Sequence, residues 1–495
     1  MFKTLIAALL LIGSASVAAD STLTPSADDQ LAREGRVSLA REYPQVLAHV
    51  FRKDGFGGPP SPLIAQNMLS ASPDRVAAAR KAMTIERHGQ GMWLLRFPYV
   101  NVAVIETKRG LVVFDTGYAA IGPVLAEELP KLSPKPVTHI MVSHIHIDHA
   151  YGWAALKARW PKARTVTSDL FPAMAAKEVR LGGSIGRFNN QPLESWPTST
   201  DRLPRPDIMF RDRLSLKIDG ESFELHRAPG ETEEQIWMAL PSREAIFTAD
   251  YYQGFLPNSG NGKRIMRHID EWAAALREMV ALKPQHLLPM HSAPLDDPAR
   301  IAEALGIEAE ALEYVSNQVV TRLNAGERKD QIAARLDWPE RFAKSPWLDP
   351  QYNRPEDIAR MVAMRWTGWW DDIPSHFAAM PFEDEAREAL RLAGGVDAVD
   401  RRARELIATD SKLAARLADW ASYGAPDDPK ALRLGIDASR LHIGYHSPPW
   451  DTLRGIESIT GTYGTSTLWD DIGHGFIADA YVATGSDGQV APTCP

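Results

Sequence analysis

Cysteine is nearly absent from this sequence, because Cys494 is the only one in 495 residues. A single cysteine cannot form an internal disulfide bond, so the hydrophobic core must stabilise the fold without such cross-links. The same scarcity excludes a metal site built on several thiolates. Any transition-metal site must therefore use His, Asp or Glu side chains.

Excess positive charge and long apolar runs are also missing. The formal net charge is -8, which argues against nucleic acid or an anionic membrane as a general partner. The negative net charge does not exclude a small anionic substrate, because the local charge around a binding site decides whether such a substrate binds. After the N-terminus no apolar run approaches the ~18 residues that cross a bilayer. We therefore expect no nucleic-acid partner and no stable membrane insertion.

Residues 1–19 have the pattern of a secretory signal peptide. Lys3 gives a positive start, Leu5 to Ile12 is apolar but too short to span a bilayer, and small residues lead to Ala19. This pattern predicts cleavage after Ala18 or Ala19 and a periplasmic or secreted protein. A buried N-terminal helix is the alternative.

The rest of the chain divides into a mixed α/β part and a helical part. Runs such as NVAVIET and LVVFDTG are typical of strands, and IDEWAAALREMVAL is typical of an amphipathic helix. Beyond about residue 296 the strand patterns fade and helical periodicity continues. The predicted segments are a signal peptide (1–19), an N-terminal extension (20–84), a catalytic domain (85–296), a helical domain (297–425) and an unassigned tail (426–495).

The stretch SHIHIDHAYGW follows a predicted strand and contains His144, His146, Asp148 and His149. Residues two apart on an extended segment point the same way, so His144 and His146 can reach one ion. Asp148 and His149 lie past the strand end and can turn towards a second ion. Imidazole and carboxylate ligands suit zinc, iron or manganese. A solvated polar loop is the alternative interpretation.

Three further candidate ligands follow separate predicted strands. They are Glu231 in RAPGETEE, Asp250 in IFTAD and His291 in LLPMH. Singly, they could be a helix-cap acid, a turn residue and a surface histidine. Because each follows a strand of an alternating α/β pattern, all three could converge on one edge of a sheet.

These motifs, in this order, resemble the metallo-β-lactamase fold superfamily, with VVFDTG as a further match. The resemblance implies an αββα sandwich. Most relatives have His at the position of Glu231, whereas a Glu there is similar to the zinc-dependent alkyl sulfatases. The segments RWTGWWDD and LAGGVDAVDRRAREL also resemble the helical dimerisation domain of that branch, which implies a homodimer.

The resemblance implies two zinc ions held by seven side chains. One ion would be bound by His144, His146 and Glu231, the other by Asp148, His149 and His291, with Asp250 between them. Asp115 would lie behind these ligands and orient them. Asp148 could also accept a proton.

Three features depart from the alkyl sulfatase pattern. Asp250 stands where those enzymes usually have Glu, and Asp357 lies near the place of a helical-domain His. The tail is shorter and richer in Gly than their usual C-terminal domain.

The segment GKRIMRHIDEW offers positive charge for a sulfate group. The resemblance implies that Arg264 and Arg267 contact the sulfate, and Asn258 and Asn261 could add neutral donors. A solvated basic turn is the alternative.

The resulting hypothesis is an exported dizinc hydrolase of sulfate esters. Two adjacent zinc ions would lower the pKa of a shared water from 15.7 towards about 7 and so give hydroxide at neutral pH. The alternatives are a hydrolase of a lactone, a β-lactam, or a carboxylic or phosphoric ester, and a zinc-binding module without catalysis. Because no Cys lies near Asp250, the thiolate-using lactamases are disfavoured.

Overall fold

The computed structural model describes residues 67–188, 193–260, 265–348, 353–406 and 409–428, with residues 430, 431 and 434. The predicted signal peptide, most of the N-terminal extension, Asn261, Arg264 and almost all of the tail lie outside these described residues.

The first sheet has seven strands in sequence order. They are β1 (Thr84–Arg87), β2 (Met92–Arg96), β3 (Asn101–Glu106), β4 (Leu111–Phe114), β5 (Val137–Met141), β6 (Arg164–Ser168) and β7 (Ile208–Phe210). Strands β1 to β4 pair antiparallel, and β4 to β7 pair parallel. The carboxyl ends of β4 and β5 therefore meet at one edge, where α/β proteins place functional loops.

The second sheet has five strands in the order β12-β11-β10-β9-β8. They are β8 (Arg213–Ile218), β9 (Glu221–Arg227), β10 (Ile236–Leu240), β11 (Ala245–Phe247) and β12 (His286–Leu288). Strands β11 and β12 pair parallel, and the other pairs are antiparallel. Apolar side chains from both sheets form one core, in which the rings of Phe114 and Phe247 lie 5.9 Å apart.

In the described part of the chain, seven helices lie around and between these strands. They are α1 (Pro73–Ala82), α2 (Ile121–Leu132), α3 (Ile147–Ala150), α4 (Trp153–Arg159), α5 (Phe171–Arg180), α6 (Gly182–Phe188) and α7 (Ile269–Ala281). Single 3-10 turns cover Leu193–Ser195, Thr200–Arg202, Pro241–Arg243 and Ala249–Tyr251. The predicted αββα sandwich, followed by a helical region, is confirmed.

The helical region begins at Pro298, where Asp297 caps the first helix through the N–H groups of Ala299 and Arg300. Its helices are α8 (Pro298–Asn324), α9 (Lys329–Ala334), α10 (Glu340–Ala343), α11 (Pro355–Thr367), α12 (Pro374–Phe377), α13 (Phe382–Ala393), α14 (Val396–Leu406) and α15 (Ser411–Gly424). No helix among the described residues is both long and apolar enough to cross a membrane.

The helical region forms two separate cores. Side chains of α8 and α11 share one apolar cluster with Trp272 of α7 and with Trp237 and Ile246 of the second sheet. Helices α13 to α15 form a smaller cluster of their own. The first helices are therefore packed directly on the sandwich, although the sequence pattern changes at residue 297.

Two glycines allow a close approach behind the loop after β5. A Cβ on Gly152 would lie 2.1 Å from the carbonyl oxygen of Thr116, and one on Gly122 would lie 2.4 Å from the carbonyl oxygen of Gly152. The Gly152 N–H also donates to the carbonyl of Gly117 at 2.9 Å. The start of α4 can therefore sit directly against the backbone that follows β4, and the first turn of α2 can sit directly against the start of α4.

The Gly152→Ala variant should lose stability, because its Cβ meets rigid backbone and overpacking of this kind costs about 1–3 kcal/mol. The matched control is Gly306→Ala on α8, where a Cβ would meet nothing within 4 Å. The control should gain about 0.5–1 kcal/mol, since alanine is the better helix residue. Thermal unfolding followed by circular dichroism measures both. Equal midpoints for the two variants would contradict the close approach.

Candidate metal centre

The first half of the site lies at the carboxyl ends of β4 and β5. Asp115 follows β4, and the segment from Ser143 to His149 follows β5 and turns into α3. His144 and His149 are fully buried, and His144 Nε2 lies 2.9 Å from His146 Nδ1. This segment thus brings the imidazoles of His144, His146 and His149 close together at one edge of the sheet.

The second half comes from the other sheet. Glu231 follows β9, Asp250 lies in the 3-10 turn after β11, and His291 follows β12. The two sheets are hydrogen-bonded at this end, since the Ile236 N–H donates to the carbonyl of Ser143 at 3.0 Å. Residues more than a hundred positions apart therefore meet across the edge of the sandwich.

The seven predicted ligands form two neighbouring groups. Within each group the potential ligand atoms lie within 4.8 Å of one another. The groups are His144, His146, Glu231 and Asp250, and Asp148, His149 and His291.

Asp250 faces both groups. Its Oδ2 lies 3.8 Å from His144 Nε2, whereas its Oδ1 lies 3.1 Å from His149 Nε2 and 3.4 Å from His291 Nε2. One carboxylate oxygen is thus turned towards each group, which is the geometry that a bridging ligand requires.

The donor set fits divalent transition metals. Imidazole nitrogen and carboxylate oxygen are the ligands that zinc takes when thiolates are absent. His149 Nε2 and Asp250 Oδ1 are buried, and neither has a hydrogen-bond partner among the described residues. Because such atoms are costly to bury without a partner, a cation between them would remove the penalty.

The electrostatics of the cluster favour cation binding. Burial alone would raise the pKa of Asp250, but His149, His291 and His144 outweigh it and hold that pKa well below its usual value. Burial lowers the pKa of His144 well below its usual value, and the neighbouring His149 adds to this effect. The cluster thus offers an ionised carboxylate beside a neutral imidazole at His144. Burial would lower the pKa of His149 and of His291, but Asp250 and Asp148 outweigh it and raise both, so a metal that binds there displaces protons.

Asp115 contacts Ser143 and His149, at the two ends of the segment that follows β5. Its Oδ1 accepts the Ser143 N–H at 2.7 Å, and its Oδ2 accepts the Ser143 hydroxyl and His149 Nδ1–H, each at 2.8 Å. With Nδ1 occupied in this way, His149 presents Nε2 to the cluster. Asp115 itself has a left-handed backbone conformation, with φ +60°.

Two side chains that support the cluster, Glu234 and Asn101, were not predicted from the sequence. Glu234 Oε1 accepts the N–H of Ile145, the residue between His144 and His146, at 3.0 Å. Asn101 Nδ2 donates to the carbonyls of Pro289 and Ser292, each at 2.9 Å, and these residues flank His291. Glu234 stood in the motif GETEEQ, but no local pattern separates it from Glu233, because its role depends on a partner 89 residues away.

The backbone also holds His291. Its Nδ1 lies 2.6 Å from the carbonyl oxygen of Tyr99, which has a left-handed φ of 71°. His291 Nε2 is thereby turned towards Asp148 and Asp250.

Two of the four predicted substrate-binding residues, Arg267 and Asn258, are among the residues that the structure describes. Arg267 is fully buried, donates from Nη1 to the carbonyl of Glu231 and lies 3.2 Å from Glu231 Oε2. Asn258 is also buried, and its Oδ1 has no hydrogen-bond partner among the described residues. Arg264 and Asn261 lie outside the described residues. The sulfate contacts of all four stay predictions.

The region that departs from the alkyl sulfatase pattern forms the start of α11. There the Asp357 carboxylate accepts two hydrogen bonds from the Arg354 guanidinium, both at 3.1 Å, and the Arg354 N–H at 2.9 Å. Asp357 therefore caps the N-terminus of α11 together with Arg354.

The Asp115→Asn variant should bind metal more weakly, by roughly 10–100-fold, because an amide cannot accept the three donors that face this carboxylate. The matched control is Asp219→Asn, a second left-handed Asp (φ +53°) whose carboxylate binds Thr107 and Arg109 instead. Competition with a chromogenic chelator measures the affinity. An unchanged affinity in Asp115→Asn would show that this carboxylate does not orient the ligands.

The comparisons with known proteins match the two parts of this architecture. Residues 95–291 match the family described as "Metallo-beta-lactamase superfamily", and residues 328–450 match "Alkyl sulfatase dimerisation". Both predictions of resemblance are confirmed.

Similar proteins include two linear primary-alkylsulfatases from Pseudomonas sp. The first is 26% identical over 375 residues, which cover 70% of this chain and 70% of the relative. The second is 23% identical over 392 residues, which cover 71% of this chain and 57% of the relative. The chain thus spans little more than half the length of the second relative.

A solved structure shares the fold. It is that of the stereoselective inverting sec-alkylsulfatase Pisa1 from Pseudomonas sp., with a TM-score of 0.67 and 17% identity, over 90% of this chain and 79% of that chain. The chain thus contains a metallo-β-lactamase superfamily domain at residues 95–291, followed by a segment, residues 328–450, that matches the alkyl sulfatase dimerisation family.

Proposed function

We propose that the protein is an exported dizinc hydrolase that cleaves sulfate esters, with alkyl sulfates as the substrate class. The observation that carries the proposal is the pair of adjoining groups of potential ligands around Asp250, in which the carboxylate of Glu231 stands beside His144 and His146. The similarity to alkylsulfatases supports the sulfate ester.

In this proposal the first group holds one zinc ion, the second group holds another, and Asp250 contacts both. Bound zinc supplies a hydroxide at neutral pH and polarises the ester. The chain orients the proposed ligands through Asp115, which binds His149, and through Glu234 and Asn101, which bind the backbone beside His144 and His291. Loss of that support would misplace the reacting atoms, which costs rate steeply.

Asp148 is the carboxylate best placed to move a proton. Its side chain is 23% exposed, whereas those of Glu231 and Asp250 are each 4% exposed. Its Oδ2 lies 3.6 Å from His291 Nε2 at the open side of the cluster. Asp148 can therefore take a proton from the attacking water and release it to solvent.

Charge near the site suits an anionic ester. The Arg267 guanidinium lies beside Glu231 and offsets part of the negative charge of the carboxylates. Arg264, Arg267, Asn258 and Asn261 remain the proposed direct sulfate contacts. Export is proposed from the N-terminal pattern of residues 1–19.

Purified protein should contain about two zinc ions per chain and release sulfate from alkyl sulfates, and a chelator should abolish this activity. The sulfatase activity of His146→Ala should fall by more than roughly 100-fold, since that is the loss expected when a residue that only supports a metal ligand is removed. His376→Ala, on the helical region, should retain full activity. Elemental analysis and a sulfate-release assay measure these outcomes.

The substrate panel adds aryl sulfates, phosphodiesters, lactones and a β-lactam. β-Lactam turnover without sulfate release would overturn the sulfatase proposal. Less than about one zinc ion per chain, or activity that survives chelation, would overturn the dizinc mechanism.

A homodimer is also proposed, and one surface fits it. Trp366, Trp369, Phe377 and Met380 are 56% to 69% exposed, and all lie within the segment that matches the dimerisation family. The rings of Trp369 and Phe377 stack with centroids 6.1 Å apart. Exposed apolar side chains in such numbers within one short segment are typical of an interaction surface.

Trp369→Glu should raise the dimer dissociation constant by roughly 30-fold or more, because exposed tryptophans at interfaces are frequent hot spots. Met209→Glu, an exposed apolar residue on β7, serves as the control and should leave the constant unchanged. Analytical ultracentrifugation measures both. A Trp369→Glu protein that dimerises like wild type would place the interface elsewhere.

A further inference from the structure

One buried amide lies between the two carboxylates of the first ligand group. Gln253 is 3% exposed, and its Nε2 lies 3.2 Å from Glu231 Oε1 and 3.5 Å from Asp250 Oδ2. An amide nitrogen carries two hydrogens, so one side chain can serve both carboxylates. It does so without adding charge to a cluster that is already strongly ionised.

The contact to Glu231 fixes the direction of that carboxylate. Glu231 Oε2 lies 3.2 Å from His146 Nδ1 and points into the ligand group, whereas Oε1 is the oxygen that Gln253 holds. A carboxylate with one oxygen towards a metal and the other hydrogen-bonded has a fixed orientation, and such partners tune affinity.

The other end of the same amide holds a loop. Gln253 Oε1 accepts the N–H of Asn258 at 3.1 Å, and Asn258 is a proposed sulfate contact. We call residues 253–260 the substrate loop. Gly254 has φ +76° and packs on Ser292, where a Cβ would lie 2.8 Å from the Ser292 Cβ.

The far end of the substrate loop is held by the helical region. The Gly260 N–H donates to Asn353 Oδ1 at 3.0 Å. A Cβ on Gly260 would lie 2.5 Å from the backbone nitrogen of Ile358, so α11 sits directly against this end of the loop. Asn353 and Gln253 therefore hold opposite ends of the substrate loop. Of these two side chains, Gln253 is the one that also contacts the carboxylates of Glu231 and Asp250.

We propose that Gln253 is a positioning residue that couples the ligand carboxylates Glu231 and Asp250 to the substrate loop. Removing its amide weakens metal binding and substrate binding together. Removing Asn353 weakens substrate binding alone. This inference rests on the proposed metal site.

The test compares full-length Gln253→Met, Asn353→Ala and wild type. Gln253→Met keeps the side-chain volume, should lose roughly 10–100-fold in zinc affinity, and when loaded with zinc should raise KM for an alkyl sulfate by roughly fivefold. Asn353→Ala should raise KM to a similar degree with unchanged zinc affinity. Gln318→Met is the matched control, because Gln318 uses both ends of its amide on Asp337, and it should change neither quantity.

Chelator competition gives the zinc affinity, steady-state kinetics gives KM and kcat, and thermal unfolding of the metal-free proteins separates folding from positioning. If Gln253→Met does not fold, Gln253→Asn replaces it. That side chain is one methylene too short to keep both ends of the amide in contact, so it should show the same combined loss.

Wild-type zinc affinity in a folded Gln253 variant would overturn the inference and leave the proposed function intact. A KM effect without any change in zinc affinity would also overturn it. Wild-type protein that binds zinc but does not cleave alkyl sulfates would reject the proposed function, while the zinc affinity of the variants would still decide the role of Gln253.

Discussion

The buried carboxylate of Asp250, held between three imidazoles, is the interaction on which the rest of the site depends. A carboxylate at this depth needs opposite charge or hydrogen-bond donors on every side, because its desolvation is costly. His144 faces one of its oxygens, and His149 and His291 face the other. These three residues come from both sheets, so the charge of Asp250 is compensated only when the sandwich is complete.

The supporting contacts follow the same logic. Asp115, from the end of β4, holds His149, and Asn101, from β3, holds the backbone on both sides of His291. Glu234 reaches across from the second sheet to the backbone of Ile145. His149 and the backbone beside His144, His146 and His291 are thus held by elements other than their own, and this limits the freedom of the cluster.

The helical region takes part in the site as well as in the proposed dimer. Helices α8 and α11 share an apolar core with α7 and the second sheet, so they are fixed relative to the ligands. Asn353 lies just before α11 and binds the substrate loop, whose other end is bound by Gln253. The substrate loop is therefore held at one end by the helical region and at the other end by Gln253, which also contacts Glu231.

Local spacing was enough to predict the α/β pattern, the helical region after residue 297 and the candidate metal ligands in the segment from His144 to His149. Glu231, Asp250 and His291 were also recognisable, since each follows a strand. The contact of Arg267 with Glu231, and the contacts that Glu234, Asn101 and Gln253 make around the cluster, are visible only in the folded chain. Their partners are distant in sequence and are set by how the sheets pack, which no local pattern of residues records.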